Sequence, residues 1–169
     1  MARILRIQTA CEDACAFAAT SIFVAMMLVV SAEVVMRYGF NSSISWVVEI
    51  SEYALLWITF LGSAWVLRSG GHVRVDIVLQ FLSPAALRIC GLITSALGTL
   101  TTAIIFAFGV GATWTAYVEG AYKPTSTNIP TWMIIIVIPF GSLLLSLRFL
   151  RLFVEYLSRQ RDFGAEPSH

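Results

Sequence analysis

Four long apolar stretches alternate along the chain with short polar segments that carry charged, glycine and proline residues. The stretches cover residues 14–37, 46–67, 87–118 and 129–150. An α-helix of about 20 residues is long enough to cross a hydrocarbon core of roughly 30 Å. The pattern therefore predicts an all-α integral membrane protein, residues 1–169, with four transmembrane helices in a single domain.

The third stretch is longer than one crossing requires, so we expect long tilted helices. It also carries small residues at steps of three and four, which places them on one helix face. They are Gly91, Ser95, Gly98, Thr102 and Gly109. In lipid, helices associate by close approach through small side chains. This face either packs inside the chain or meets a second membrane protein.

Two places interrupt the helical pattern. Pro139 has no N–H for the carbonyl of Ile135, so the fourth helix should be kinked there. Between the second and third stretches, residues 73–82 are apolar with two charged residues interspersed. That mixture predicts a short interfacial segment on the membrane surface.

Arginine and lysine are distributed unequally between the two ends of the predicted helices. Only Arg37 and Lys123 lie on the side opposite the termini. The others share the side of the termini: Arg3, Arg6, Arg68, Arg74, Arg88, Arg148, Arg151, Arg159 and Arg161. Because the cytoplasmic loops of membrane proteins carry an excess of arginine and lysine, both the N- and the C-terminus are predicted to be cytoplasmic.

Composition agrees with a membrane protein, since 58% of residues are hydrophobic and only 12% are charged. A soluble domain would carry about 25% charged residues. A net charge of +1 without a basic patch argues against a nucleic-acid partner. Cys11 and Cys15 are four residues apart but have no nearby histidine, so we interpret them as inert small residues. No metal and no cofactor is predicted.

Ionisable residues at membrane depth are the first candidates for function. Glu33 is the deepest, and Arg37 follows four residues later on the same face. Glu33 is either a proton-binding carboxylate of a self-sufficient four-span transporter acting as a homodimer, or one half of an ion pair near the outer interface. The arginine on the same face favours the ion pair.

Polar residues also flank the second stretch. Glu49 and Glu52 lie one turn apart at its start and would form a cation site or contact a polar neighbour. The other end predicts a structural network of Arg68, His72, Arg74 and Asp76. A catalytic or haem-binding role for His72 would need a second histidine, and the only other one is His169. No nucleophile motif or phosphate loop is present, which argues against an enzyme.

Taken in order, the residues between Arg37 and Asp76 resemble the small permease subunit of tripartite ATP-independent periplasmic (TRAP) transporters, the DctQ family. The resemblance rests on Arg37-Tyr38, Trp46, Glu49, Glu52, Trp57, Phe60-Leu61-Gly62, Arg68 and the run from Gly71 to Asp76. The late position of Pro139 in the last helix also fits.

The resemblance implies a non-catalytic scaffold in the bacterial inner membrane. Its implied partners are membrane lipids, a large permease subunit of the DctM family that holds the substrate and sodium sites, and a periplasmic binding protein of the DctP family that delivers an organic acid, typically a carboxylate. The polar and small residues at the helix ends would then form a partner interface or a structural network: Glu33, Arg37, Trp46, Glu49, Glu52, Trp57, Gly62, Arg68, His72, Arg74 and Asp76.

Overall fold

A computed structural model describes residues 2–69, 84–122 and 127–158. Its helices are α1 (Ala2–Gly39), α2 (Trp46–Arg68), α3 (Pro84–Val118), α4 (Thr131–Ile135) and α5 (Val137–Leu157). Helices α4 and α5 follow one another directly and together form one membrane-crossing unit. Four units are therefore long and apolar enough to cross a membrane, which confirms the predicted all-α, four-span fold.

Helices α1 and α3 are longer than the apolar stretches that predict them. They have 38 and 35 residues, against about 20 for a straight crossing. Their ends therefore project beyond the hydrocarbon core or the helices tilt, and the tilt remains a prediction. The predicted interfacial segment at 73–82, together with His72, Arg74 and Asp76, lies outside the described residues.

The connection after α3 begins with a glycine-dependent helix cap. Gly120 has φ of +59°, a left-handed conformation that suits glycine. The N–H of Ala121 donates to the carbonyl of Ala116 (3.1 Å), and the N–H of Gly120 donates to that of Tyr117 (3.3 Å). This pair of bonds satisfies carbonyls that the helix end leaves open and turns the chain toward α4.

The fourth unit is interrupted at Ile136, one turn before Pro139. Ile136 keeps right-handed helical angles, and its N–H donates to the carbonyl of Trp132 (3.1 Å). Pro139 is buried and supplies no donor for the preceding turn. The interruption thus lies where the proline is expected to disturb the helix.

The helices pack in a row, with α2 between α1 and α5, and α5 between α2 and α3. A core cluster joins Cys15 and Ala19 of α1, Leu61 of α2 and Val137 of α5. Only 11–22% of the residues in the most apolar part of each unit are buried within the chain. Broad apolar faces of the helices are therefore left open to the membrane.

The small-residue face of α3 packs against α5. An added Cβ on Gly91 would lie 2.6 Å from the ring of Tyr156, and one on Gly98 would lie 2.6 Å from the ring of Phe149. A Cβ on Gly109 would meet Ile138 and Pro139 at 3.1–3.2 Å. The other two members of the face, Ser95 and Thr102, are buried, and each hydroxyl donates to a carbonyl of its own helix at 2.7 Å. In the structure this face serves packing within the chain.

Candidate functional site

One cluster of charges joins the start of α1 to the end of α2. Glu12 is fully buried, and its Oε1 accepts a hydrogen bond from Gln8 Nε2 at 3.1 Å. Arg68 Nη1 lies 3.4 Å from Glu12 Oε2 and donates to the carbonyl of Thr9 at 3.2 Å. Arg68 Nη2 donates to the carboxylate of Asp13, whose side chain is mostly exposed. One guanidinium therefore binds three groups of the neighbouring helix.

The network predicted from the sequence joins Arg68 to His72, Arg74 and Asp76, which lie outside the described residues. Glu12 and Asp13 are not among the partners predicted for Arg68. A signal existed, because Glu12, Cys15 and Ala19 follow the i, i+3, i+7 spacing of one helix face. Counting the apolar run only from residue 14 concealed it.

At the opposite end of α1, Glu33 and Arg37 form a bidentate ion pair. Arg37 Nε donates to Glu33 Oε1 at 2.8 Å, and Nη2 donates to Oε2 at 2.6 Å. Glu33 is only 4% exposed, whereas 48% of the Arg37 side chain remains exposed. Both carboxylate oxygens are thus held by a cation of the same helix, a geometry that gives strong charge-assisted hydrogen bonds.

The start of α2 contacts the segment that precedes α4. Thr127 Oγ1 donates to Glu49 Oε2 at 2.9 Å, and Glu49 is half-buried. Glu52 lies one turn later and is exposed, and Trp46 is 41% exposed at the helix start. Trp57 packs against the core cluster. The structure thus gives Glu49 a partner within the chain, and the side chains of Glu52 and Trp46 are exposed to the surroundings.

Gly62 lines an apolar groove of about 590 Å³ between α1 and α2. An added Cβ at Gly62 would meet nothing within 4 Å. The hydroxyls in the groove wall donate to carbonyls of their own helices at 2.7–2.9 Å, so they offer little polar surface; they belong to Thr20, Thr59 and Ser63. Within residues 2–69, 84–122 and 127–158, no three His, Cys, Asp or Glu side chains are grouped closely enough to hold a metal ion.

Residues 26–159 match the family model described as "Tripartite ATP-independent periplasmic transporters, DctQ component". The chain belongs to the DctQ family. The resemblance drawn from Arg37 to Asp76 is thereby confirmed, and the DctQ match includes the Glu33–Arg37 pair and the start of α2. Glu12 and Asp13 lie before the matched range.

Three relatives illustrate the similarity of this DctQ-family chain to known proteins. It is 40% identical over 74 residues to the putative TRAP transporter small permease protein of Haemophilus influenzae, covering 44% of the chain and 46% of the relative. It is 29% identical over 106 residues to the C4-dicarboxylate TRAP transporter small permease protein DctQ of Rhodobacter capsulatus, covering 63% and 46%. The protein of the same name from Vibrio cholerae is 24% identical over 160 residues, covering 82% and 68%.

The chain spans about half the length of the first two of these relatives. Membership of the DctQ family, together with four apolar helices, makes the chain a membrane subunit of a bacterial TRAP transporter. Subunits of this family are permease components, which are not generally catalytic.

Proposed function

We propose that this chain is the non-catalytic scaffold of a TRAP transporter in the inner membrane, with both termini in the cytoplasm. In this proposal a large permease subunit of the DctM family carries out sodium-coupled uptake of an organic acid. A periplasmic binding protein of the DctP family delivers that acid to the outer face. The small subunit holds the large one in the membrane and carries no transport pathway of its own.

The observation that carries the proposal is the pairing of the buried carboxylates. Glu12 and Glu33 are the buried acidic residues of the described part of the chain, and each is held by an arginine of the same chain. A coupling carboxylate must exchange its proton or cation during the transport cycle. In the Glu33–Arg37 pair both carboxylate oxygens accept hydrogen bonds from one guanidinium of the same helix, which favours a structural role.

The open faces of the outer helices support a membrane partner. Both α1 and α3 carry large apolar side chains that are more than half exposed; examples are Phe17, Leu28, Val35, Leu97 and Phe108. Such faces suit lipid or the helices of another membrane protein. In a scaffold, part of this surface contacts the large permease subunit.

The names of the relatives support placing substrate choice in the other subunits. Small permeases of Rhodobacter capsulatus and Vibrio cholerae carry the name of a C4-dicarboxylate transporter, whereas that of Halomonas elongata is named for ectoine. A scaffold without contact to substrate accommodates this range.

The proposal is tested by isolating the tagged chain from its native membranes, identifying what co-purifies, and reconstituting it in liposomes alone and with the co-purified subunits. Uptake of radiolabelled dicarboxylates under a sodium gradient is then measured. We expect uptake only when the large subunit and the binding protein are present. Uptake by the chain alone that Glu33→Gln abolishes would instead establish the alternative, a proton-coupled homodimer working through Glu33.

A further inference from the structure

The packed faces of α1, α2 and α5 each carry an ionisable residue next to the core, and on α5 the Arg151–Glu155 ion pair continues the same face. Each face follows the spacing that places side chains on one side of a helix. The faces are Ala19–Cys15–Glu12 on α1, Leu61–Ala64–Arg68 on α2 and Gly141–Leu144–Arg148 on α5. Residues of all three faces belong to the core cluster or pack against it. The same core is therefore bordered by one charged residue from each of three helices: Glu12, Arg68 and Arg148.

The contact between Gly141 and Phe60 sets the depth of Arg148 relative to Arg68. An added Cβ on Gly141 would lie 2.5 Å from the carbonyl oxygen of Phe60, so these two residues lie at the same level. The bond from Thr127 to Glu49 shows that α2 starts at the same end as the α4–α5 unit. Arg68 follows Phe60, and Arg148 follows Gly141, by about two helical turns, roughly 10–12 Å. Both arginines are thus at nearly the same depth, and Arg68 lies 3.4 Å from Glu12 at that depth.

At this depth, one buried polar atom on α1 and one on α5 make no hydrogen bond. Glu12 Oε2 is buried and lies 3.4 Å from Arg68 Nη1 as an ion pair without a hydrogen bond, and the buried Arg148 Nε makes no hydrogen bond within the described part of the chain. Leaving a buried acceptor and a buried donor unbonded is costly, and more so when both are charged. Glu12 also interacts electrostatically with Arg148. Asp13 pairs with Arg68, and Glu155 pairs with Arg151 one turn after Arg148, so with Glu12 three carboxylates accompany three guanidinium groups.

We propose that Glu12 is the shared counter-ion of Arg68 and Arg148, directly or through one water, and that this buried charge node locks the α1–α2 pair to α5. Without the node, α1 is held to the rest of the molecule chiefly through α2. The node ties α1 to α5 as well. The inference concerns the folded chain itself and does not depend on the proposed transport role.

A double-mutant cycle tests the node in the purified full-length chain, with thermal unfolding followed by tryptophan fluorescence. The variants are Glu12→Gln, Arg148→Gln and the double substitution, and Asp13→Asn is the control because Asp13 is the exposed partner of Arg68. Breaking a buried pair should lower Tm by about 6 °C or more for each single variant, against about 2 °C or less for the control. The Tm of the double variant should be little lower than that of the less stable single variant. A decrease in Tm equal to the sum of the two single decreases would overturn the proposal.

Cross-linking in native membranes provides a test that does not require the variants to be stable in detergent. Cys11, Cys15 and Cys90 are first replaced by alanine, and cysteines are introduced at Glu12 and Arg148. The matched control pairs Glu12→Cys with Leu150→Cys, because Leu150 is on another side of α5 and 47% exposed. A short bifunctional thiol reagent should link the first pair at least about tenfold faster, as mass spectrometry of the digested chain would show. Equal rates would contradict the node.

Discussion

Glu33 lies almost entirely inside the structure, whereas its partner Arg37 keeps half of its side chain exposed. The two residues therefore differ in what remains when the other is neutralised. An unpaired Arg37 can extend its charged end toward water, because long basic side chains reach the interface readily. An unpaired Glu33 has no such route, because its carboxylate is short and buried.

This asymmetry predicts that Arg37→Gln destabilises the chain more than Glu33→Gln. Removing Arg37 leaves an uncompensated buried carboxylate, which is the costly way to break an ion pair. The double variant Glu33→Gln/Arg37→Gln should regain part of the stability that Arg37→Gln loses, because the buried charge is gone. Thermal unfolding of the three purified variants would check the order, and equal losses from the two single substitutions would contradict it.

At the scale of the helices, α5 meets the backbone of α2 at Gly141, where an added Cβ would lie 2.5 Å from the carbonyl oxygen of Phe60. No side-chain movement can make room there, because the nearest atom is the backbone carbonyl oxygen of Phe60. The glycines of α3 differ, since Gly91 and Gly98 face aromatic rings that can shift. The α2–α5 contact is thus the more demanding of the two interfaces.

We therefore expect Gly141→Ala to lower the free energy of unfolding by about 1–3 kcal/mol or more, because the added methyl group overpacks the contact with α2. Gly111→Ala is the matched control, because an added Cβ there meets nothing within 4 Å. It should be neutral or stabilising by up to about 1 kcal/mol, as alanine favours a helix over glycine. Unfolding of both variants in mixed micelles with increasing denaturing detergent would measure the difference. A Gly141→Ala variant as stable as Gly111→Ala would show that the two backbones are not in contact.

The helices themselves could be predicted from the sequence, because apolar length and helical spacing are local properties. The small face of α3 and the disturbance at Pro139 are local in the same sense. Which helix packs against a given face depends on the tertiary arrangement, so the Gly141–Phe60 contact could not be predicted from the sequence. The spacing of Glu12, Cys15 and Ala19 marks Glu12 as part of a packed face, but it does not show that this face meets Arg68, more than fifty residues away in sequence. The Glu33–Arg37 pair was predictable because both residues lie on one helix.

At the scale of the whole molecule, the contacts of two arginines determine which segments share an end of the helix row. Arg68 binds Thr9, so the end of α2 lies beside the start of α1. Arg88 donates to the carbonyls of Tyr156 and Leu157 at 3.0 and 2.9 Å, which brings the start of α3 to the end of α5. The contacts do not say which end faces the cytoplasm. The excess of arginine at the end that carries the start of α1 and the end of α5 predicts that this end is cytoplasmic.

The last prediction concerns this orientation and uses single cysteines in a chain whose three native cysteines are replaced. Ser42 lies between α1 and α2, Asn128 lies before α4, and both are exposed. The bond from Thr127 to Glu49 places these two segments at one end, whereas Ser158 follows α5 at the other. A membrane-impermeant maleimide added to intact spheroplasts should label Ser42→Cys and Asn128→Cys. It should label Ser158→Cys only after the membrane is opened.

Because the bond from Thr127 to Glu49 holds the two segments at one end of the molecule, Ser42→Cys and Asn128→Cys should always give the same labelling result. Labelling of one without the other would contradict the fold, whereas complete reversal would leave the fold intact and refute only the orientation inferred from arginine.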